Sequence, residues 1–118
     1  MTEPTDFYCR EIISGKTPVE PLIENELIIA YHHTNPFWEV HIVIIPKKHI
    51  LGVEALEYSD EKLMLELMKA ISVLTKSVKA ERGGCRVCSN IGDYQSTKHL
   101  HFYIHAGKRI RTDHPDTE

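Results

Sequence analysis

The sequence predicts an α+β domain: an antiparallel sheet of about five strands with one long helix and one short one. Three observations predict it. The chain has 118 residues, room for one domain with a substantial core. Its strand-like segments stand before and after one long amphipathic stripe, with no regular strand–helix alternation. Hydrophobic residues make up 42% and charged ones 26%, the balance of a globular chain rather than a disordered one. No repeat, low-complexity stretch or linker divides residues 1–118, so a single domain is expected. Its core is expected at about 7–107, with 108–118 a polar, loosely held tail.

Phe7 to Ser14 reads as a short helix, with Asp6 as its N-cap and Gly15 as its stop. Pro18 and Pro21 then impose extended chain. Two strand-like segments follow, around Pro21–Glu24 and Leu27–His32, turned at Asn25-Glu26. Thr34-Asn35-Pro36 is a loop. Val40 to Ile45 is apolar and β-branched except at His41, which reads as a strand buried on both faces and closed by Pro46. The long helix begins at Ser59, a good N-cap, with Asp60 and Glu61 in the first turn where the helix dipole favours acids. Leu63, Leu67, Ile71, Leu74 and Val78 form its apolar stripe, and Gly83-Gly84 ends it. Two last strands are expected, Cys85 to Ile91 and His99 to Ala106.

Composition excludes several classes of function. A net charge of −3 argues against a dedicated nucleic-acid binder. No apolar run approaches the roughly 20 residues that a membrane helix needs. The opening MTEPTDFYCREI lacks a basic-then-apolar signal, so a cytoplasmic address is expected. Three cysteines fit free thiols in a reducing compartment better than a disulfide framework. The unusual count is eight histidines. Imidazole is the side chain best suited to acid–base, nucleophilic and metal chemistry near neutral pH.

The sharpest signal is HLHFYIHAG, His99 to Gly107. On a strand, Leu100, Phe102 and Ile104 share the core face, and His99, His101, Tyr103 and His105 share the other. Such a row suits an imidazole nucleophile whose neighbours fix its tautomer, or a metal held by His-x-His. Upstream, Asn90-Ile91-Gly92-Asp93-Tyr94-Gln95-Ser96 supplies amides and a hydroxyl. These are donors for phosphate oxygens and poor transition-metal ligands, although the same residue types also make ordinary turns.

At these residues the sequence resembles the histidine-triad (HIT) family, whose members carry His-x-His-x-His preceded by Gln-Ser and an upstream Asn. Here the pattern stands as Asn90…Gln95-Ser96-Thr97-Lys98-His99-Leu100-His101-Phe102-Tyr103-Ile104. A second block agrees in register: Asn35-Pro36, then His41 and the strand, then Pro46-Lys47-Lys48-His49. The opening FYCREIISGKTPVEPLIENELIIAYHH is similar too, so the likeness covers about residues 7 to 107. The resemblance implies a five-stranded half-barrel that pairs as a homodimer. It implies a hydrolase or nucleotidyl transferase acting on the α-phosphate of a nucleoside 5′-phosphoramidate or dinucleoside polyphosphate. His101 would attack phosphorus and form a nucleotidyl-histidine, and His99 would orient it through its backbone carbonyl. Asn90, Gln95 and Ser96 would hold phosphate or the leaving group, with His41 behind the same site.

The pattern departs from the family at three places. Tyr103 occupies the third triad position and can donate a hydrogen bond, but it carries no positive charge near neutrality. His105 follows where the family has an apolar residue, about 6.6 Å further along a strand, too far to replace the missing imidazole. His33 stands where the family commonly has an Asp that accepts from ribose hydroxyls, so weaker ribose binding is expected. The short charged tail after Gly107 replaces an aromatic, proline-rich ending.

Cys85-x-x-Cys88 lacks the second pair that a zinc ribbon needs, and on a strand the two thiols point to opposite faces. Some HIT members hold a structural zinc on Cys-x-x-Cys, the Pro-Lys-Lys-His histidine and the first triad histidine. Cys9, His49 and His99 match those positions, and Asp6, which can ligate zinc, stands where the first cysteine would be. No cofactor is required for the nucleophilic chemistry, and a metal here would make His99 a ligand. Phe37 and Trp38 stack on a base, pack internally or make a dimer contact, and Lys47 and Lys48 read as a solvated strand end. Two other readings remain: a nucleotide- or phosphate-binding protein without turnover, and a metal-binding domain using His99 and His101. A cupin-type barrel is disfavoured by the long helix.

Overall fold

The computed structural model describes residues 6–111. Five strands form one sheet: β1 (Pro21–Glu24), β2 (Ile28–His32), β3 (Trp38–Pro46), β4 (Arg86–Cys88) and β5 (Phe102–Arg109). Their order is β1-β2-β3-β5-β4, and every neighbouring pair is antiparallel. One long helix, α1 (Glu61–Arg82), lies against one face. Among the described residues no helix is long and apolar enough to cross a membrane.

Local chemistry explains the elements. Asn25 turns the β1–β2 hairpin, its Oδ1 accepting from the backbone N–H of Leu27 at 2.8 Å and of Ile28 at 3.1 Å. The apolar stripe of α1 seats Leu63, Leu67, Leu74 and Val78 against Ile28, Ile42, Ile44, Leu100 and Ile104. Gly83 stops the helix in the left-handed region at φ 85°, its N–H donating to the Lys79 carbonyl at 2.8 Å. The short N-terminal helix is a π-helical turn, Tyr8–Ile13, begun where the Asp6 carboxylate accepts from the Cys9 N–H at 3.1 Å. It packs Tyr8 and Ile12 on the opposite face of the sheet, over Ile29, Tyr31, Val43 and Ile45. β3 is therefore buried on both faces, as its sequence requires.

Several boundaries differ from expectation; β3, for one, begins at Trp38 rather than Val40 and takes in Pro46. Asp60, not Ser59, is the residue before α1; its carboxylate accepts from the Glu57 N–H at 3.0 Å and from Lys48 at 2.8 Å. Lys48 and Lys47 are thus ion-paired, the latter with Glu24 at 2.7 Å, rather than simply solvated. β4 keeps only Arg86–Cys88 of the expected Cys85–Ile91, because the chain leaves β5 beyond Cys88. β5 starts at Phe102 rather than His99, since the Leu100 N–H bonds the Ile50 carbonyl at 2.6 Å and not a strand. It also runs past Gly107 to Arg109, so residues 108–111 belong to the folded unit. The Ile110 N–H donates to the Phe37 carbonyl at 2.7 Å. The rest of the expected polar tail, residues 112–118, lies outside the described residues.

Candidate active site

The face of the sheet away from α1 is covered by the π-helical turn at one end and by histidines and aromatics at the other. Alternation along β5 and the residues before it sends Leu100, Ile104 and Ala106 into the α1 core. It leaves His101, Tyr103 and His105 on the far side, beside His41 of β3. These side chains are enclosed: His99 is 0% and His101 1% exposed.

Hydrogen bonds fix the tautomers. His101 Nδ1 lies 3.0 Å from the His99 carbonyl oxygen. A carbonyl can only accept, so Nδ1 donates and the lone pair of the neutral ring sits on Nε2. The Ser89 hydroxyl donates to the His101 carbonyl at 2.6 Å and holds the same segment from the β4 side. The Tyr8 ring stands 5.5 Å from His101 and 5.6 Å from His99, closing the site from the N-terminal turn. Tyr103 stacks on His101 at 6.1 Å and 16°, an aromatic neighbour at the third triad position.

A second group of rings continues the layer. His41 Nδ1 accepts from the Phe37 N–H at 3.1 Å, which puts its proton on Nε2, a buried atom with no hydrogen-bond partner. Burial first, then the nearby His33, His105, His101 and Arg111, push His41 down to about 3. His33 stacks on it at 4.3 Å and is pushed to about 4 by burial and by the neighbouring His101 and Arg111. Both rings are neutral at pH 7. Trp38 stacks on His105 at 3.8 Å, so this pair packs internally, and His105 does not reach toward His101.

A cavity of about 280 Å³ opens beside this layer, walled by Tyr8, Tyr31 and Phe37 and reached by His33 and Ser96. Asn90, Gln95, His41, His99, His101 and Tyr103 are not among the residues lining it; Tyr8 stands between the cavity and the two triad histidines. The Gln95 amide donates to the Leu51 carbonyl at 2.8 Å, and Asn90 sits half-buried just beyond β4. The structure therefore brings together His99, His101, Tyr103, His41 and His33, with Ser96 at the cavity. Sequence reasoning missed Tyr8, Ser89 and Arg111. Only Tyr8, inside the family-like opening, carried a signal.

The comparisons with known proteins bear on this geometry. The model of the HIT domain matches residues 14–110. The chain belongs to the HIT family. A HIT family hydrolase from Clostridium thermocellum superposes with a TM-score of 0.78 at 30% identity, over 95% of this chain and 98% of that one. A hypothetical histidine triad nucleotide-binding protein from Sulfolobus tokodaii gives 0.74 at 27% identity, over 92% and 72%. An uncharacterized 13.2 kDa HIT-like protein of Azospirillum brasilense is 29% identical over 111 residues, 92% of this chain and 90% of that protein.

The HIT domain also gathers Asp6, Cys9, His49 and His99, whose ligand atoms all lie within 4.8 Å of one another. His99 Nε2 lies 2.9 Å from the Pro46 carbonyl and donates to it, so the lone pair of neutral His99 is on Nδ1. That lone pair faces Asp6 Oδ1 at 3.2 Å and Cys9 Sγ at 3.4 Å. His49 Nδ1 faces the same two groups, at 2.8 Å and 3.7 Å. Burial and Asp6 push the Cys9 thiol up to about 12. Burial tends to raise Asp6, yet the Cys9 backbone N–H and the two imidazoles hold it below its usual value. Acceptors converge here, and a proton or a metal cation is what satisfies them. The separations of 3.2, 3.4 and 3.7 Å are those of neighbouring ligands around tetrahedral zinc, while His49 and Asp6 at 2.8 Å stand at hydrogen-bond distance. Cys85 packs toward the α1 core while Cys88 Sγ meets His105 at 3.8 Å, so the two thiols do lie on opposite faces.

Proposed function

We propose that this HIT protein is a nucleotide hydrolase or nucleotidyl transferase with His101 as nucleophile. The observation that carries the reading is the bond from His101 Nδ1 to the His99 carbonyl, which leaves the Nε2 lone pair for attack. The Nε2 lone pair forms a bond to the α-phosphorus of a nucleoside 5′-phosphoramidate or dinucleoside polyphosphate. The bond from phosphorus to the amine nitrogen or bridging oxygen breaks, and the leaving group takes its electron pair and a proton from solvent. Water then forms the new P–O bond, the P–N bond to His101 breaks, and the water proton is released. In the transferase variant another hydroxyl or phosphate replaces water.

His99 positions His101 through its peptide oxygen. The buried His41 Nε2–H has no acceptor, and a phosphate oxygen would supply one. Ser96 stands at the cavity where it can donate to phosphate, and Tyr103 offers neighbouring aromatic surface in place of an imidazolium. The likeness to a structure described as nucleotide-binding supports the substrate class. Asp6, Cys9, His49 and His99 fit a zinc ion, which would neutralise the carboxylate and thiolate and tie the N-terminal turn to the His99 ring. The reading includes a homodimer through β4, an edge strand whose Val87 is 44% exposed.

The test is intact mass after mixing the protein with adenosine 5′-phosphoramidate, with and without EDTA. A nucleotidyl adduct or released monophosphate, absent in a folded His101→Ala protein, is the expected result. Unchanged substrate in the presence of demonstrable nucleotide binding would leave a binding protein without turnover.

A further inference from the structure

Tyr8, whose ring stands 5.5 Å from His101, walls the cavity, and the rest of its lining has a definite chemical sense. Its polar rim is His33, Thr34, Asn35, Ser96, Thr97 and Arg111, and no carboxylate stands among the described residues lining it. The Asn35 N–H donates to His33 Nδ1 at 2.9 Å, so the neutral His33 ring holds its proton on Nε2 and presents a donor there. Asn35 Oδ1 accepts from the Arg111 guanidinium at 2.6 Å, which leaves the amide N–H groups as what Asn35 offers a ligand. Arg111 lies 3.9 Å over the Phe37 ring, anchored on the wall of the cavity. The Thr34 hydroxyl can turn to donate. The rim is a ring of donors that includes a guanidinium.

This inventory discriminates between ligands. A free sugar diol can exchange hydrogen bonds with such a rim but brings no charge to meet the guanidinium. A phosphate brings acceptor oxygens only, and each can be met by a charge-assisted or neutral N–H or O–H. We propose that the cavity receives a second phosphate group, carried on the sugar of a nucleoside 5′-phosphate derivative whose α-phosphorus lies at His101. His33 and Arg111 set that preference. The proposal rests on the nucleotidyl-histidine reading above and adds the substrate class to it.

Calorimetric titration of the full chain with three ligands tests it: adenosine 5′-monophosphate, adenosine 3′,5′-bisphosphate and adenosine 2′,5′-bisphosphate. At least one bisphosphate should bind about tenfold or more tightly than the monophosphate, the gain of one charge-assisted contact. His33→Asp replaces a donor by a carboxylate and should abolish or reverse the preference, while His33→Gln keeps an N–H donor and should retain it. Arg111→Gln should lose most of it, with thermal melts confirming that each variant folds. Equal or tighter binding of the monophosphate overturns the proposal, as does an unchanged ratio in His33→Asp. Failure of all three ligands to bind overturns it too. The mass of the His101 adduct, measured on the same preparation, then shows separately whether the nucleotidyl reading falls with it.

Discussion

Lowering the pH should destabilise this protein through the stacked pair His33 and His41. Their folded-state values are about 4 and about 3, against 6.5 for an unperturbed imidazole, because both rings are buried beside other positive or titratable groups. A histidine depressed on folding binds its proton more readily when unfolded. The stability it contributes is complete above about pH 6.5 and drains as the pH falls toward the folded value. Each pH unit in that window costs about 1.4 kcal/mol for one proton, so either ring alone accounts for about 3 kcal/mol by pH 4. The two are not additive, since the charge of His33 is part of what depresses His41. Against a total stability of about 5–15 kcal/mol, that loss is large. Urea denaturation of wild type and His41→Gln from pH 7.5 to 4 measures it directly. The variant should show a shallower decline than wild type, by about 1.4 kcal/mol per pH unit below 6.5. Parallel pH profiles for the two proteins would refute the reasoning.

Three further outcomes follow from the same coordinates. Leu67 is 1% exposed under the sheet, and Leu67→Ala should cost about 3 kcal/mol in urea unfolding while leaving adduct formation at His101 intact. Gly83 at φ +85° has open space around its absent Cβ, so Gly83→Ala should cost only the left-handed backbone penalty, about 1 kcal/mol. Dialysis against a strong chelator should remove about one equivalent of zinc and lower the melting temperature of wild type. In Cys9→Ala that shift should vanish, and elemental analysis that finds no bound metal in wild type would sink the assignment.

Much of this architecture was legible in the chain because it is written in local periodicity. The stripe from Leu63 to Val78, the apolar run ending at Pro46 and the alternation around His101 each fix an element and a face. What escaped was decided by partners distant in sequence. Ser59 and Asp60 are equally good caps, and Lys48 with the Glu57 backbone selects Asp60. The stretch before Phe102 looks like strand, yet Leu100 spends its N–H on the loop at Ile50. Arg109 and Arg111 fell in the expected loose tail and instead lie over Phe37 and Trp38, because an aromatic face attracts a guanidinium. Gln95, part of the likeness with the family, spends its amide N–H on the Leu51 carbonyl, a contact that local sequence does not announce.

His99 has separate duties for its two halves. The ring is tied to the Pro46 carbonyl and to Asp6 and Cys9, whereas the peptide oxygen is tied to His101. An alanine at this position would delete the first set of ties and keep the atom that makes the second. The orientation of His101 is thereby encoded in the path of the main chain, which substitution does not erase. Side-chain scanning would record position 99 as an anchoring residue and remain blind to the part of it that aims the nucleophile. Only a change to the backbone itself, such as an ester in place of the amide linking residues 99 and 100, would weaken that carbonyl as an acceptor, and the Leu100 N–H bond to Ile50 would go with it.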